Sequence, residues 1–133
     1  MNTSELYQIF RKYPTICTDS RKIVKDGLFF ALKGNNFNGN QFAKQAVKNG
    51  CKYAIIDEKE YLSENCILVK NVLESLQSLS SYHRDTLNIP IIGITGTNGK
   101  TTTKELISTT LSEKYNCYAT KGNLNNHIGV PLS

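Results

Sequence analysis

Apolar side chains recur at three- and four-residue steps over residues 4–13, at Leu6, Ile9, Phe10 and Tyr13. Polar Asn2 and Thr3 precede them and Glu5 sits in the first turn. That spacing predicts an amphipathic helix capped at its start. Residues 28–32 form a continuous apolar run closed by Gly34, the pattern of a buried strand. Phe42, Ala43, Ala46 and Val47 return to helical spacing and stop at Asn49-Gly50, a good left-handed helix end. A strand follows at residues 53–56 and a shorter apolar run at 67–69. Then comes a long segment with Val72, Leu73, Leu76, Leu79, His83 and Leu87 on one face. The order strand, helix, strand, strand, helix predicts a small α/β layer.

Asn88-Ile89-Pro90 breaks the last helix, and Pro90 opens Ile91-Ile92-Gly93-Ile94-Thr95, apolar on both faces like a central strand of a parallel sheet. A helix is expected from about residue 101 to 115, burying Leu106, Ile107, Thr110 and Leu111, with a further strand at 117–120. This places a domain boundary near residues 86–89. Residues 1–87 form one α/β domain, and residues 88–133 supply the first strand, loop, helix and strand of a parallel-sheet domain. No internal repeat or low-complexity segment interrupts either.

Between the strand and the helix lies Gly96-Thr97-Asn98-Gly99-Lys100-Thr101-Thr102. Polyanionic phosphates are held most cheaply by backbone N–H groups at a helix N-terminus, where the helix dipole adds favourable potential. Gly96 and Gly99 allow close backbone approach, Lys100 brings a mobile positive charge to the β/γ-phosphates, and the Thr101 hydroxyl is a ligand for Mg²⁺. The segment therefore predicts ATP binding, with Lys100 as the catalytic candidate. The strict pattern of this loop class wants glycine at position 94, where this chain has Ile94, and its glycines are displaced to Gly93 and Gly96. A hairpin turn at Asn98-Gly99 is the competing interpretation. It fits poorly, because the segment joins a strand to a helix.

Bulk properties narrow the picture further. With 133 residues, 39% hydrophobic and 20% charged, the chain has enough apolar material for a core. The net charge of +5 is dispersed, with no basic block and no basic stripe interleaved with aromatics, so nucleic acid is not the expected partner. Cys17, Cys51, Cys66 and Cys117 lie far apart with no C-x-x-C pair, which speaks against zinc and a disulfide framework and for small buried hydrophobes. The N-terminus lacks a signal core, and no apolar run approaches the roughly 18 residues that span a bilayer. A soluble, cytoplasmic location without membrane insertion is expected.

The string Thr95-Gly96-Thr97-Asn98-Gly99-Lys100-Thr101-Thr102 after an apolar strand resembles the ATP site of the Mur ligase family. Thr18-Asp19-Ser20-Arg21, Gly27-Leu28-Phe29-Phe30-Ala31-Leu32-Lys33-Gly34 and Asn38-Gly39 look like the N-terminal uridine-nucleotide-binding domain of its MurE and MurF branches, which folylpolyglutamate synthases lack. Lys100 to Glu105, followed by Gly122-Asn123-Leu124-Asn125-Asn126-His127-Ile128-Gly129-Val130-Pro131, is similar to the MurF branch. The resemblance runs over essentially the whole chain, which covers only the beginning of such a three-domain enzyme. At one place the chain departs from the family, which usually has Asp-Gly-His where Asn38-Gly39-Asn40 stands. Contacts through that carboxylate or imidazole do not carry over.

The resemblance implies a monomeric, ATP- and Mg²⁺-dependent ligase that adds D-alanyl-D-alanine to UDP-N-acetylmuramoyl-tripeptide through an acyl phosphate. It implies that Ser20, Arg21, Asn35, Asn36 and Phe37 meet the uridine nucleotide: Arg forks onto phosphate, amides read the uracil edge and an aromatic stacks on it. It implies substrate contacts for Asn123, Asn125 and Asn126, although an Asn-rich turn is also an ordinary helix cap. His83 lies on an apolar helix face and reads as a packed, hydrogen-bonded histidine. Two alternatives stand beside this: a MurE-like ligase of single amino acids, and a non-catalytic module that holds a UDP-sugar.

Overall fold

The computed structural model describes residues 1–122 and 124–133. The chain divides into two compact units, Met1–Thr86 and Leu87–Ser133.

The first unit opens with α1, Thr3–Lys12. Asn2 accepts from the Glu5 N–H at 2.9 Å while the Glu5 carboxylate accepts from the Asn2 N–H at 2.8 Å, so two orphan donors of the first turn are satisfied reciprocally. Four strands follow in short pieces: β1 (Ile16–Cys17), β2 (Leu28–Phe30), and the antiparallel pair β3 (Lys33–Gly34) and β4 (Phe37–Asn38). A 3-10 turn, Gly39–Phe42, leads into α2 (Ala43–Lys48), then β5 (Tyr53–Ile56), β6 (Cys66–Leu68) and α3 (Val72–Thr86). The main sheet is all parallel in the order β1-β2-β5-β6. The fold is thus mixed α/β with a parallel sheet, the class read from the sequence.

A parallel sheet is stable only with both faces covered, and β2 meets that condition: Leu28, Phe29 and Phe30 are all fully buried. Phe29 points into a cluster with Cys17, Ala31, Ala43, Ala46, Cys51, Ala54 and Ile56, so α2 closes that side. Leu28, Phe30 and Ile55 alternate to the other face, where α3 lies against β2. Helix α1 packs on α3 through Tyr7, whose hydroxyl meets Thr86 Oγ1 at 2.9 Å and His83 Nδ1 at 3.3 Å. His83 is therefore a packed, hydrogen-bonded side chain.

In the second unit, α4 spans Lys100–Ser112. The strands expected at residues 91–95 and 117–120 form no ladder, and no strand occurs among the described residues of this unit. A strand exists only where a neighbouring backbone takes up its N–H and C=O groups, and among the described residues no ladder partner lies beside these segments. Ile91 and Ile92 are accordingly exposed rather than buried. The expected burial along α4 is also absent: Leu106 is 65% exposed, and no residue of the helix is buried. No helix among the described residues is long and apolar enough to cross a membrane.

Candidate functional site

The phosphate-loop residues converge at the start of α4. Gly99 caps the helix at φ +75° and Gly96 sits at φ +148°, both conformations that L side chains rarely adopt. The cap has no side-chain hydrogen bond and the first turn no acidic residue, so the positive end of α4 is open to an anion. Lys100 Nζ bends back to donate to the Gly96 carbonyl at 2.6 Å, which puts its charge over the loop. Thr97, Asn98, Gly99, Lys100, Thr101, Thr102 and Asn125 line an open cavity of about 320 Å³. Its walls offer hydroxyls, amides and one ammonium.

Asn125 reaches this cavity because the chain around it is tied to α4. The Lys104 ammonium donates to the carbonyls of Thr120 at 2.6 Å and Gly122 at 3.4 Å, and also pairs with Glu105 at 2.8 Å. Asn126 serves differently: its Oδ1 accepts from the Ile128 and Gly129 N–H groups at 3.1 and 2.6 Å, capping the turn. Asn123 lies outside the described residues. The role of Lys104 escaped sequence reasoning, since nothing in a helical lysine signals that its partners are carbonyls sixteen and eighteen residues on.

In the first unit, the nominated uridine residues leave from the carboxyl ends of adjacent parallel strands. The turn Asp19-Ser20-Arg21 follows β1, and the β3–β4 hairpin with Asn35, Asn36 and Phe37 follows β2. Ligands of open α/β sheets gather at that edge. The Arg21 guanidinium is forked onto Asp19, Nε to Oδ1 and Nη2 to Oδ2 both at 2.9 Å, and the Arg21 N–H reaches Oδ1 at 3.0 Å. These hydrogen bonds hold the Asp19 carboxyl at about 2, well below its ordinary value. Phe37 is half exposed and stacked on Phe42, with centroids 5.5 Å apart and planes 13° off parallel.

The same edge carries a group the sequence did not single out. Asp57, directly after β5, accepts from Asn40 Nδ2 at 2.9 Å, from the Val72 N–H at 3.1 Å and from Lys33 Nζ at 3.1 Å. Burial pushes its carboxyl up, but these donors outweigh burial and leave it below the ordinary carboxylate value. A depressed folded value means stability that is complete above the unfolded value near ~4 and lost as pH falls through the folded one. The thermal midpoint of the first unit is expected to drop on acidification below about pH 4, and Asp57→Asn to flatten that drop. An unchanged acid profile in the variant would contradict this assignment.

Residues 94–133 match the Mur ligase middle domain, and residues 12–98 match the Mur ligase family, catalytic domain. Over 119 residues the chain is 44% identical to the UDP-N-acetylmuramoyl-tripeptide--D-alanyl-D-alanine ligase of Synechocystis sp., covering 87% of this chain and 26% of that protein. Among solved structures, the MurF ligase from Thermotoga maritima in complex with ADP superposes with a TM-score of 0.81 at 31% identity, covering 89% of this chain and 28% of that one. MurF from Acinetobacter baumannii gives 0.84 at 33% identity, covering 98% and 32%. The chain spans about a quarter of the length of the curated relatives it matches. With well over half of its residues matched by the family's catalytic domain, the chain belongs to the Mur ligase family.

Proposed function

We propose that the chain handles the two nucleotides of an ATP-dependent ligase that adds D-alanyl-D-alanine to UDP-N-acetylmuramoyl-tripeptide. Residues 1–87 are read as the UDP-substrate-binding domain and residues 88–133 as the start of the central ATP-binding domain. The observation that carries this is the open N-terminus of α4, with left-handed Gly99, Lys100 over the loop and Asn125 across the cavity. The names of the similar proteins, and the ADP held by the Thermotoga maritima ligase, support it.

In this reaction a terminal carboxylate oxygen of the tripeptide bonds to the γ-phosphorus of ATP as the bond to the β–γ bridging oxygen breaks, giving an acyl phosphate and ADP. The amine of D-alanyl-D-alanine then attacks the acyl carbon, and the tetrahedral intermediate expels phosphate as the amine loses its proton. Phosphoryl transfer rests on positioning and charge neutralisation. The N–H groups at the start of α4 orient the phosphates, the glycines admit them, and Lys100 leaves the Gly96 carbonyl to follow the charge that develops on the transferred group. Thr101, exposed on the cavity wall, offers one hard oxygen ligand, which fits a Mg²⁺ ion otherwise held by phosphates and water. Such an ion neutralises phosphate charge.

The test is phosphate release by the intact protein with UDP-N-acetylmuramoyl-tripeptide and ATP. Release with D-alanyl-D-alanine, and not with meso-diaminopimelate or L-lysine, is expected. Turnover with a single amino acid in place of the dipeptide would replace this reading by the MurE-like one.

A further inference from the structure

The β3–β4 hairpin is too short to orient itself. Only two residue pairs, Lys33 with Asn38 and Gly34 with Phe37, join its strands. Isolated two-stranded ribbons are marginal even when longer. What fixes it lies at its base, where both members of the first pair are bound to consecutive carboxylates at the end of β5. Lys33 Nζ reaches Asp57 Oδ1 at 3.1 Å and Glu58 Oε1 at 3.2 Å, while Asn38 Nδ2 reaches Glu58 Oε2 at 2.8 Å.

Behind them sits Asn40, fully buried and fully satisfied. Its Nδ2 donates to Asn38 Oδ1 at 3.0 Å and Asp57 Oδ1 at 2.9 Å, and its Oδ1 accepts the Asp57 N–H at 3.0 Å. A Cβ on Gly39, between these two asparagines, would fall 2.4 Å from the Leu32 carbonyl oxygen, so the returning strand is pressed against the exit of β2. A satisfied polar network of this kind specifies one geometry, because each partner lost leaves another buried group unpaired. The pairs of the β2–β5 ladder and the residues of the Phe29 cluster are themselves outside it.

We infer that Asp57 and Glu58 are positioning residues: acting through Lys33, Asn38 and Asn40, they hold the hairpin in the orientation in which Asn35, Asn36 and Phe37 meet the uridine nucleotide. This rests on the reading of the hairpin as the uridine loop. Asn38 suits the role here, since its amide donates to Glu58 where a carboxylate at that position would repel it.

Asp57 also takes the Val72 N–H at the start of α3, so the decisive substitutions are made on the hairpin side and at half-buried Glu58, which makes no such bond to α3. Calorimetric titration of the chain with UDP-N-acetylmuramoyl-tripeptide is compared for wild type, Lys33→Met/Asn38→Ala, Glu58→Ala, Glu58→Gln and Phe37→Ala. The double variant and Glu58→Ala are expected to bind about tenfold more weakly or worse, with faster amide exchange at residues 34–37; Glu58→Ala leaves the melting midpoint unchanged, whereas the double variant, which strips partners from Asp57 and from buried Asn40, lowers it. Glu58→Gln, which keeps an oxygen for Asn38, should recover part of the loss. Wild-type affinity in the double variant together with lost affinity in Phe37→Ala overturns the positioning role alone. Wild-type affinity in all of them overturns the uridine loop and the positioning role together. A parallel fall of melting midpoint and affinity in Glu58→Ala reduces the network to ordinary stability and also overturns it.

Discussion

Lys100→Ala in the intact ligase is expected to lower turnover by about a thousandfold or more, with a smaller effect on ATP affinity. In the structure the ammonium spans the phosphate loop to the Gly96 carbonyl at 2.6 Å, a contact that a triphosphate replaces with better acceptors. The backbone N–H groups and dipole at the start of α4 remain in the variant, so nucleotide binding survives in part. On the proposed mechanism, what is lost is the mobile charge that follows the transferred phosphoryl group. Lys100→Arg should recover little, because a planar fork does not replace a compact ammonium in a loop closed by glycines. Single-turnover measurement of acyl phosphate formation separates the two effects, and near-normal turnover in Lys100→Ala would sink the assignment of the loop.

Phe29→Ala is expected to destabilise the first unit by about 3–5 kcal/mol, toward the upper end of that range. Phe29 is fully buried in the middle of the sheet, between β1 and β5. Four of its cluster neighbours, Ala31, Ala43, Ala46 and Ala54, are alanines, which have no rotamers with which to fill a void. The cavity left by the ring would therefore persist, and cavity volume is what raises the cost. Urea unfolding followed by far-UV circular dichroism measures it; a loss below about 1 kcal/mol would mean that the cluster collapses inward after all.

The periodic elements of the first unit were legible because their own sequence carries the signal. The capped period of α1, the apolar face of α3 and the run at β5 each appear within a residue or two of where they were read. Strand β1 was not legible: two residues, Ile16 and Cys17, have no period, and only pairing with β2 makes them a strand. The β3–β4 pair hid between the apolar run at residues 28–32 and the helical spacing that starts at Phe42, for the same reason. In the second unit the difference ran the other way. Ile91, Ile92 and Ile94 have a strand's composition but no ladder neighbour. The turn from Gly96 into α4 was readable because its demands are local, two glycines, a lysine and a threonine at the start of a helix. The carboxylates at Asp57 and Glu58 were not, since their partners lie up to 25 residues away.

The bond between Tyr7 and Thr86 joins side chains 79 residues apart, at the two ends of the first unit. Synthesis runs from the N-terminus, so α1 leaves the ribosome long before the helix it packs on. Its buried face, Leu6 and Tyr7, stays without its partner until residue 86 has cleared the exit tunnel. From that moment the unit has every residue it needs, while the phosphate loop, a short way behind, is still inside the tunnel.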